Sequence, residues 1–334
     1  MPEQDRRGRA EDAVAATPEL TGEVAGIETE DAGPAQPARF PLGMRYMAAG
    51  AFFFSVMSLL VKVAGQRLPS QEVVMVRAII TLILSAWAVR AAGVPWWGTP
   101  GRRRLLIQRG VFGFLALSAF YHSIVNLPLA DATVIQYTNP AFAGLIAVPF
   151  LGERLRRREV VSVLVSMVGV AMVMQPSFLF GHGAALEPVT VGIGLFGAMC
   201  SAMAYVTVRK LGATEHPSVI VYYFALISVI ASVPTALPGA VWPTPWEWLV
   251  MLGIGVSTQL GQMSITHGLR LERAGRATAT GYLQIVFAAL WGILFFTELP
   301  DWGTLAGAAL IIASTLALAR RGKPKPAVPP STGG

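Results

Sequence analysis

The chain has 334 residues, of which 54% are hydrophobic and only 13% are charged, and its formal net charge is +7. A soluble protein of this length carries about twice that charged fraction, so the composition excludes an ordinary soluble domain. The single cysteine, Cys200, excludes an intrachain disulfide and a thiolate metal cluster, and we predict neither a metal site nor a cofactor.

The first 40 residues differ from the rest of the chain. They are rich in Glu, Asp, Pro, Ala and Gly, so they bury too little apolar area to offset chain entropy. We predict a disordered tail over residues 1–40 and a second one over the proline-rich residues 322–334. The first tail is not a signal peptide, because acids such as Asp5 and Glu11 crowd its start.

Apolar segments fill the chain between the two tails. About 20 helical residues cross a hydrocarbon core of ~30 Å, and prolines fall near most segment ends, where a missing N–H is tolerated. We therefore predict an all-α integral membrane protein. Its ten transmembrane helices are expected at residues 44–66, 71–92, 104–126, 130–151, 158–175, 190–211, 217–238, 247–269, 274–297 and 300–320.

Lysine and arginine are distributed unevenly among the connecting loops. Alternate loops hold clusters around Arg103, Arg157, Arg209 and Arg273, whereas the loops around 176–189 and 239–246 hold none. Cytoplasmic loops carry such an excess, so we predict a multi-pass protein of the cell (inner or plasma) membrane with both termini in the cytoplasm. The same pattern indicates that the net positive charge marks cytoplasmic loops, and it argues against nucleic-acid binding.

The two halves of the chain resemble each other. The matched pairs, at offsets of 145 to 147 residues, are Lys62 with Arg209, Gly110 with Gly255, His122 with His267, Tyr137 with Tyr282, and Glu153 with Glu298. Each half, 44–175 and 190–320, holds five predicted helices. Because five is odd, the second half enters the membrane from the opposite side, which predicts two inverted five-helix repeats with a binding site between them near the midplane.

Short motifs add a family resemblance. They are Leu127-Pro128-Leu129-Ala130-Asp131-Ala132-Thr133, Asn139-Pro140 and Gly152-Glu153-Arg154-Leu155, with Ala277-Thr278 and Thr297-Glu298 in the second half. With these motifs the chain resembles the drug/metabolite transporter superfamily, in particular its ten-helix group with two EamA domains. The resemblance implies transport of small metabolites, often export of amino acids or their derivatives. It also implies a central cavity lined by helices one, three, four, six, eight and nine. In place of the usual glycine, Thr297 precedes Glu298.

Ionisable residues within predicted spans are the first site candidates, because they are costly in a bilayer unless satisfied. Arg77 is expected either to bind a substrate carboxylate or phosphate or to serve as a structural cation. His122 and His267 would lie near opposite mouths of the cavity and could couple transport to protons, or they could be ordinary interfacial histidines. Glu298 is a further coupling candidate, whereas Glu153, among arginines, is expected to form ion pairs.

Uncharged polar residues on apolar helices supply the other candidates, since they must face protein or water. They either line the cavity or bond neighbouring helices, and both alternatives stay open. These candidates are Ser118, Tyr121, Gln136, Tyr137, Asn139, Tyr205, Gln259, Gln262, Tyr282 and Gln284.

Taken together, these features predict a secondary transporter, an exporter of a small organic metabolite such as an amino acid or a derivative. It would work by alternating access between the two repeats, with a small-molecule solute and the lipid bilayer as partners. Two alternatives are a membrane-embedded enzyme on a lipid-linked substrate and a sensor or assembly partner without transport. The sequence offers no convergent catalytic acids, so we predict that the chain is not an enzyme.

Overall fold

The structure, a computed structural model, describes residues 41–127, 129–153, 156–176, 179, 187–296 and 301–319. Both predicted tails and Glu298 lie outside these described residues. Within them the chain forms twelve α-helices and one short 3-10 turn, and no β-strand. The all-α class is therefore confirmed for this part of the chain.

Eight of the ten predicted segments each coincide with one helix, and their ends agree within two residues. The other two segments, 130–151 and 274–297, are each divided into two helices. The helices are α1 Leu42–Ala64, α2 Ser70–Ala91, α3 Arg103–Asn126, α4 Leu129–Gln136, α5 Asn139–Leu151, α6 Arg157–Met174, α7 Pro188–Leu211, α8 Pro217–Ala236, α9 Pro245–Leu271, α10 Ala274–Thr280, α11 Leu283–Phe296 and α12 Trp302–Ala319.

Eight stretches of the described chain are long and apolar enough to cross a bilayer, counting α4 with α5 and α10 with α11 as one stretch each. Helices α6 and α9 are not among these eight stretches; α6 begins with three charged residues, Arg157, Arg158 and Glu159. Large apolar side chains also cover the outside of the helices, and Ile83 and Ile230 are 63% and 65% exposed. An exterior of this kind is stable in lipid, so the chain is a multi-pass membrane protein.

Segments 130–151 and 274–297, each predicted as one helix, are each a single stretch long enough to cross a bilayer, but each is interrupted once. In the first segment, Pro140 lacks an N–H and its ring clashes with the carbonyl four residues earlier, at Gln136. Helix α4 therefore ends at Gln136 and α5 begins at Asn139. In the second segment, the poor helix former Gly281 follows α10. The two interruptions lie at nearly equivalent positions of the sequence repeat.

A hydrogen bond connects the two interruptions. The hydroxyl of Tyr282, which is completely buried, donates to the backbone carbonyl of Tyr137 over 2.9 Å. The rings of these two tyrosines lie 5.7 Å apart. At the first interruption, the N–H of Ala141 bonds to the carbonyl of Thr138, so it does not serve Tyr137. The hydroxyl of Tyr282 thus satisfies a carbonyl that the broken helix leaves open.

Contacts between the halves follow the offsets of the sequence repeat. Gly110 in α3 lies against Ile227 in α8, and its repeat partner Gly255 in α9 lies against Ile80 in α2. Helix α1 packs most extensively on α9, and α3 packs on α7; the repeat exchanges these two pairs. Helices α6 and α12 are repeat partners of 18 residues each. They pack antiparallel, as shown by the hydrogen bond from Ser162, near the start of α6, to Ser314, near the end of α12.

The crossing of α6 and α12 depends on two glycines. A Cβ on Gly307 would lie 2.5 Å from the carbonyl oxygen of Gly169, and a Cβ on Gly169 would lie 2.7 Å from that of Gly307. Gly169→Ala or Gly307→Ala should therefore force the backbones apart and destabilise the protein by about 1–3 kcal/mol. The Tm of thermal unfolding in detergent measures this. In the control, Gly192→Ala, a Cβ meets nothing within 4 Å, so alanine should be neutral or stabilising there. An equal Tm change at Gly192 and Gly307 would contradict the close crossing.

The bond between the two interruptions predicts a second stability effect. Tyr282→Phe should leave the partly buried Tyr137 carbonyl without this donor and destabilise the protein by about 1 kcal/mol. The control is Tyr46→Phe, because the Tyr46 hydroxyl has no hydrogen-bond partner among the described residues. An unchanged Tm for Tyr282→Phe would show that the carbonyl finds another partner.

Candidate functional site

A cavity of about 230 Å³ lies at the centre of the bundle. Helices α1, α2, α3, α7, α8 and α9 contribute to its wall, and so do the interruptions at Gln136–Pro140 and Thr278–Gln284. Much of the wall is apolar, and this part comprises Met47, Ala51, Phe54, Met57, Ala116, Leu117, Phe120 and Ile265. Compared with the helices that the family resemblance implies, the wall also includes the second and seventh spans, through Arg77 and Phe224.

The structure brings seven of the sequence candidates together on this wall. They come from both halves of the chain, and are Arg77, Gln136, Tyr137, Asn139, Tyr205, Gln262 and Gln284. Asn139 is fixed toward α7, because its Nδ2 donates to Ser201 Oγ over 3.4 Å. The side-chain oxygen of Gln136 is buried and has no hydrogen-bond partner among the described residues. Aligned polar groups of this kind can orient a solute.

The predicted polar face of α3 points away from the cavity. Ser118 and His122 are exposed on the outside of α3, and Tyr121 is partly exposed. The face of α3 that reaches the cavity instead runs through Arg109, Gly113 and residues 116, 117 and 120.

Three further candidates contact other residues and lie off the cavity wall. Gln259 is buried, and its Oε1 accepts from Ser85 Oγ over 2.9 Å. The ring of His267 stacks on Tyr46, with centroids 5.2 Å apart. Tyr282 makes the interhelical bond described above, which was one of its two predicted alternatives. Neither coupling candidate, His122 nor His267, is among the described residues that line the cavity.

Arg109 is the cavity residue that the sequence analysis missed. It is only 4% exposed and projects from α3 between two elements of the second half. Its Nη2 donates to Gln262 Oε1 over 3.2 Å, and its guanidinium lies 4.5 Å from the ring centroid of Phe224, a cation–π distance. It was not among the candidates predicted from the sequence, whereas its neighbours Arg103 and Arg104 belong to the predicted cytoplasmic basic cluster. Its position more than one turn inside an apolar span was the available signal.

Arg77 provides a second cation at the cavity. It is 7% exposed, and its Nη1 lies 3.6 Å from the thioether sulfur of Met57, which is a weak acceptor. Neither Arg77 nor Arg109 forms an ion pair with an acid among the described residues. The wall is therefore cationic.

A charged network lies at the arginine-rich end of the helices and joins the two halves. Glu153 Oε1 accepts from Arg209 Nε over 3.2 Å, and Glu153 Oε2 accepts from the N–H of Ala274 over 3.2 Å. Arg209 Nη1 also donates to the carbonyl of Arg270 over 2.6 Å. The structure thus shows the ion-pairing role expected for Glu153, between the end of α5, the end of α7 and the α9–α10 loop.

Among the residues that the structure describes, no group of three His, Cys, Asp or Glu side chains is placed to bind a metal ion. Cys200 is buried. The cavity wall offers hydrogen-bonding groups, positive charge and apolar surface.

The sequence matches known proteins along most of its length. The model of the EamA-like transporter family matches twice, at residues 41–175 and 189–320. The chain is 36% identical to the pseudopaline exporter CntI of Pseudomonas aeruginosa, over 84% of this chain and 97% of that protein. It is 29% identical to human solute carrier family 35 member G1, over 84% of this chain and 79% of that protein.

The fold also matches a solved crystal structure with a TM-score of 0.72 at 18% identity, covering 82% of this chain and 95% of that chain. At this identity the match supports the fold alone, whereas the two family matches cover both halves of the sequence. The chain therefore belongs to the EamA-like transporter family of the drug/metabolite transporter superfamily.

Proposed function

We propose that this chain is a secondary transporter that exports a small organic metabolite by alternating access. The observation that carries the proposal is the central cavity, whose wall is built by both sequence halves and contains unpaired polar groups. Export is supported by the relative named as a pseudopaline exporter. The proposed location is the cell membrane, with both termini in the cytoplasm and the arginine-rich loops on that side.

Two inverted five-helix repeats would supply the motion. One family model matching twice, the antiparallel contact of the repeat partners α6 and α12, and the reciprocal contacts of Gly110 and Gly255 support this arrangement. In such a scaffold the halves exchange conformations, and the site opens to either side in turn.

The charged network around Glu153 would act as the gate on the cytoplasmic side. Its ion pairs to Arg209 and Arg273 join α5 and α7 to the α9–α10 loop, so these elements cannot separate while the network is intact. Solute entering from the cytoplasm would require it to open. Glu298, the repeat partner of Glu153, lies outside the described residues and remains a coupling candidate on sequence grounds, as do His122 and His267.

The inverted arrangement predicts opposite locations for two equivalent loops. Residue 92 follows α2 and residue 239 follows α8. After Cys200→Ser, single cysteines at Ala92 and Gly239 should react with an impermeant maleimide from opposite faces of the membrane, with Ala92 reached only from the cytoplasm. Each variant labelled after detergent solubilisation provides its own control. Labelling of both positions from one face would reject the inversion.

Blocking the cavity should abolish export. Leu117 lines the cavity, whereas Leu115, on the same helix, is 37% exposed on the outside. Cells that carry Leu117→Trp should therefore accumulate the same metabolite as cells without the gene, and Leu115→Trp should behave as the native chain. Metabolite profiling of medium and cytoplasm measures this, with membrane amounts checked for each variant.

Reconstitution in liposomes separates the remaining alternatives. Flux of the accumulated metabolite through the native chain, and not through Leu117→Trp, supports the transporter. Conversion of a lipid-linked compound without flux would instead support the enzyme alternative. Neither flux nor conversion would support a sensor or assembly partner.

A further inference from the structure

The cavity wall carries positive charge without compensating acids. Of the described residues that line it, Arg77 and Arg109 are the charged ones, and no Asp or Glu is among them. Both arginine residues are more than nine-tenths buried. A buried cation is costly unless it is paired. An anionic solute would compensate the positive charge of these two arginines.

Arg109 has unused hydrogen-bonding capacity. Its Nε and Nη1 are buried and have no hydrogen-bond partner among the described residues, while Nη2 donates to Gln262. A guanidinium offers five N–H donors in a planar fork that fits the oxygens of a carboxylate or a phosphate. The unpaired donors on the cavity wall therefore select for an oxyanion.

The neighbouring residues Phe224 and Gly113 fix the position of the Arg109 guanidinium. Phe224 covers one part of it, with its ring centroid 4.5 Å away. On α3 itself, a Cβ at Gly113 would overlap Arg109 Nη1 and would lie 2.7 Å from Phe224. The absence of a side chain at Gly113 is what leaves room for the guanidinium between the helices.

We infer that the transported solute is a small organic acid with two or more carboxylates, one of which binds Arg109 and another Arg77. This inference rests on the proposed transport function and specifies its substrate class. Two carboxylates neutralise two arginines in a wall to which no described Asp or Glu contributes. The hydrocarbon part of the solute would contact Met47, Phe54 and Leu117, and cationic solutes would be repelled.

Binding to the purified full-length protein tests the inference. Succinate, glutarate and citrate are the probes, succinamide is the uncharged analogue of succinate, and sulfate is the inorganic oxyanion. At least one diacid or triacid should raise the Tm in a concentration-dependent manner, and succinamide should not. Arg109→Gln and Arg77→Gln should each weaken that binding by about tenfold or more, whereas Arg104→Gln, an exposed arginine on the same helix as Arg109, should leave it unchanged.

Two further variants separate recognition from folding. Arg109→Lys keeps the charge but loses the planar fork, so it should weaken diacid binding while the unliganded Tm is retained. Gly113→Ala keeps the arginine but displaces it, so it should also weaken diacid binding; its unliganded Tm should fall moderately, because the new Cβ crowds Phe224. A lower unliganded Tm with unchanged diacid affinity in Arg109→Gln would show that Arg109 is structural and overturn the inference. It is also overturned if succinamide stabilises as well as succinate, if only sulfate binds, or if no acid binds.

Flux distinguishes this failure from failure of the transport function. If native proteoliposomes transport a neutral or cationic metabolite and Arg109→Gln transports it equally well, the chain is a transporter but the anionic substrate class is rejected. If diacids bind through Arg109 and native proteoliposomes show no more flux than Leu117→Trp, the binding site stands and the transport function is rejected.

Discussion

The cost of placing charge where water is scarce governs the arrangement of this molecule. An ionised side chain in a bilayer costs several kcal/mol unless it is paired or hydrogen-bonded. The described acids at helix ends meet this requirement locally. Glu72 Oε2 accepts from the N–H of Val241 over 2.8 Å, Glu215 Oε1 accepts from that of Thr99 over 3.0 Å, and Glu153 pairs with Arg209. The cavity arginines have no acidic partner among the described residues; Arg109 donates to Gln262 and Arg77 contacts the sulfur of Met57, which sets them apart from the charges at helix ends.

The same scarcity of water explains the interrupted spans. Irregular backbone at membrane depth is tolerated where it is buried in protein or lines a cavity. Both interruptions do this, since Tyr137 and Gly281 lie on the cavity wall and the Tyr282 hydroxyl satisfies the carbonyl of Tyr137. The interruptions therefore bring helix ends and their polar groups to the site. The free-energy cost of an unpaired backbone carbonyl is reduced, because the buried Tyr282 donates a hydrogen bond to it.

The sequence predicted the helices well and the site only in part, for a physical reason. Apolar periodicity and prolines locate a span, and eight segments agree with the structure within two residues. A polar residue on an apolar helix indicates that the face avoids lipid, but not which neighbour it meets. Gln262 therefore reaches the cavity while Gln259, three residues earlier, bonds to Ser85. Arg109 follows Arg103 and Arg104 closely in the sequence. The sequence alone does not show which of these arginines is exposed and which is buried, because burial depends on how the helix packs.

The repeat is symmetric in shape and asymmetric in chemistry. At the offset of 147 residues that equates Ile80 with Ile227, the repeat partner of Arg77 is Phe224, and Phe224 is the ring that Arg109 contacts. An arginine at position 224 would put two cations close together, with a repulsion of about 4 kcal/mol at 4 Å and an effective dielectric constant near 20. Phenylalanine turns that contact into a cation–π attraction of about 0.5–2 kcal/mol. The first half thus supplies the two charges of the cavity wall, and the second half holds one of them in place through Phe224.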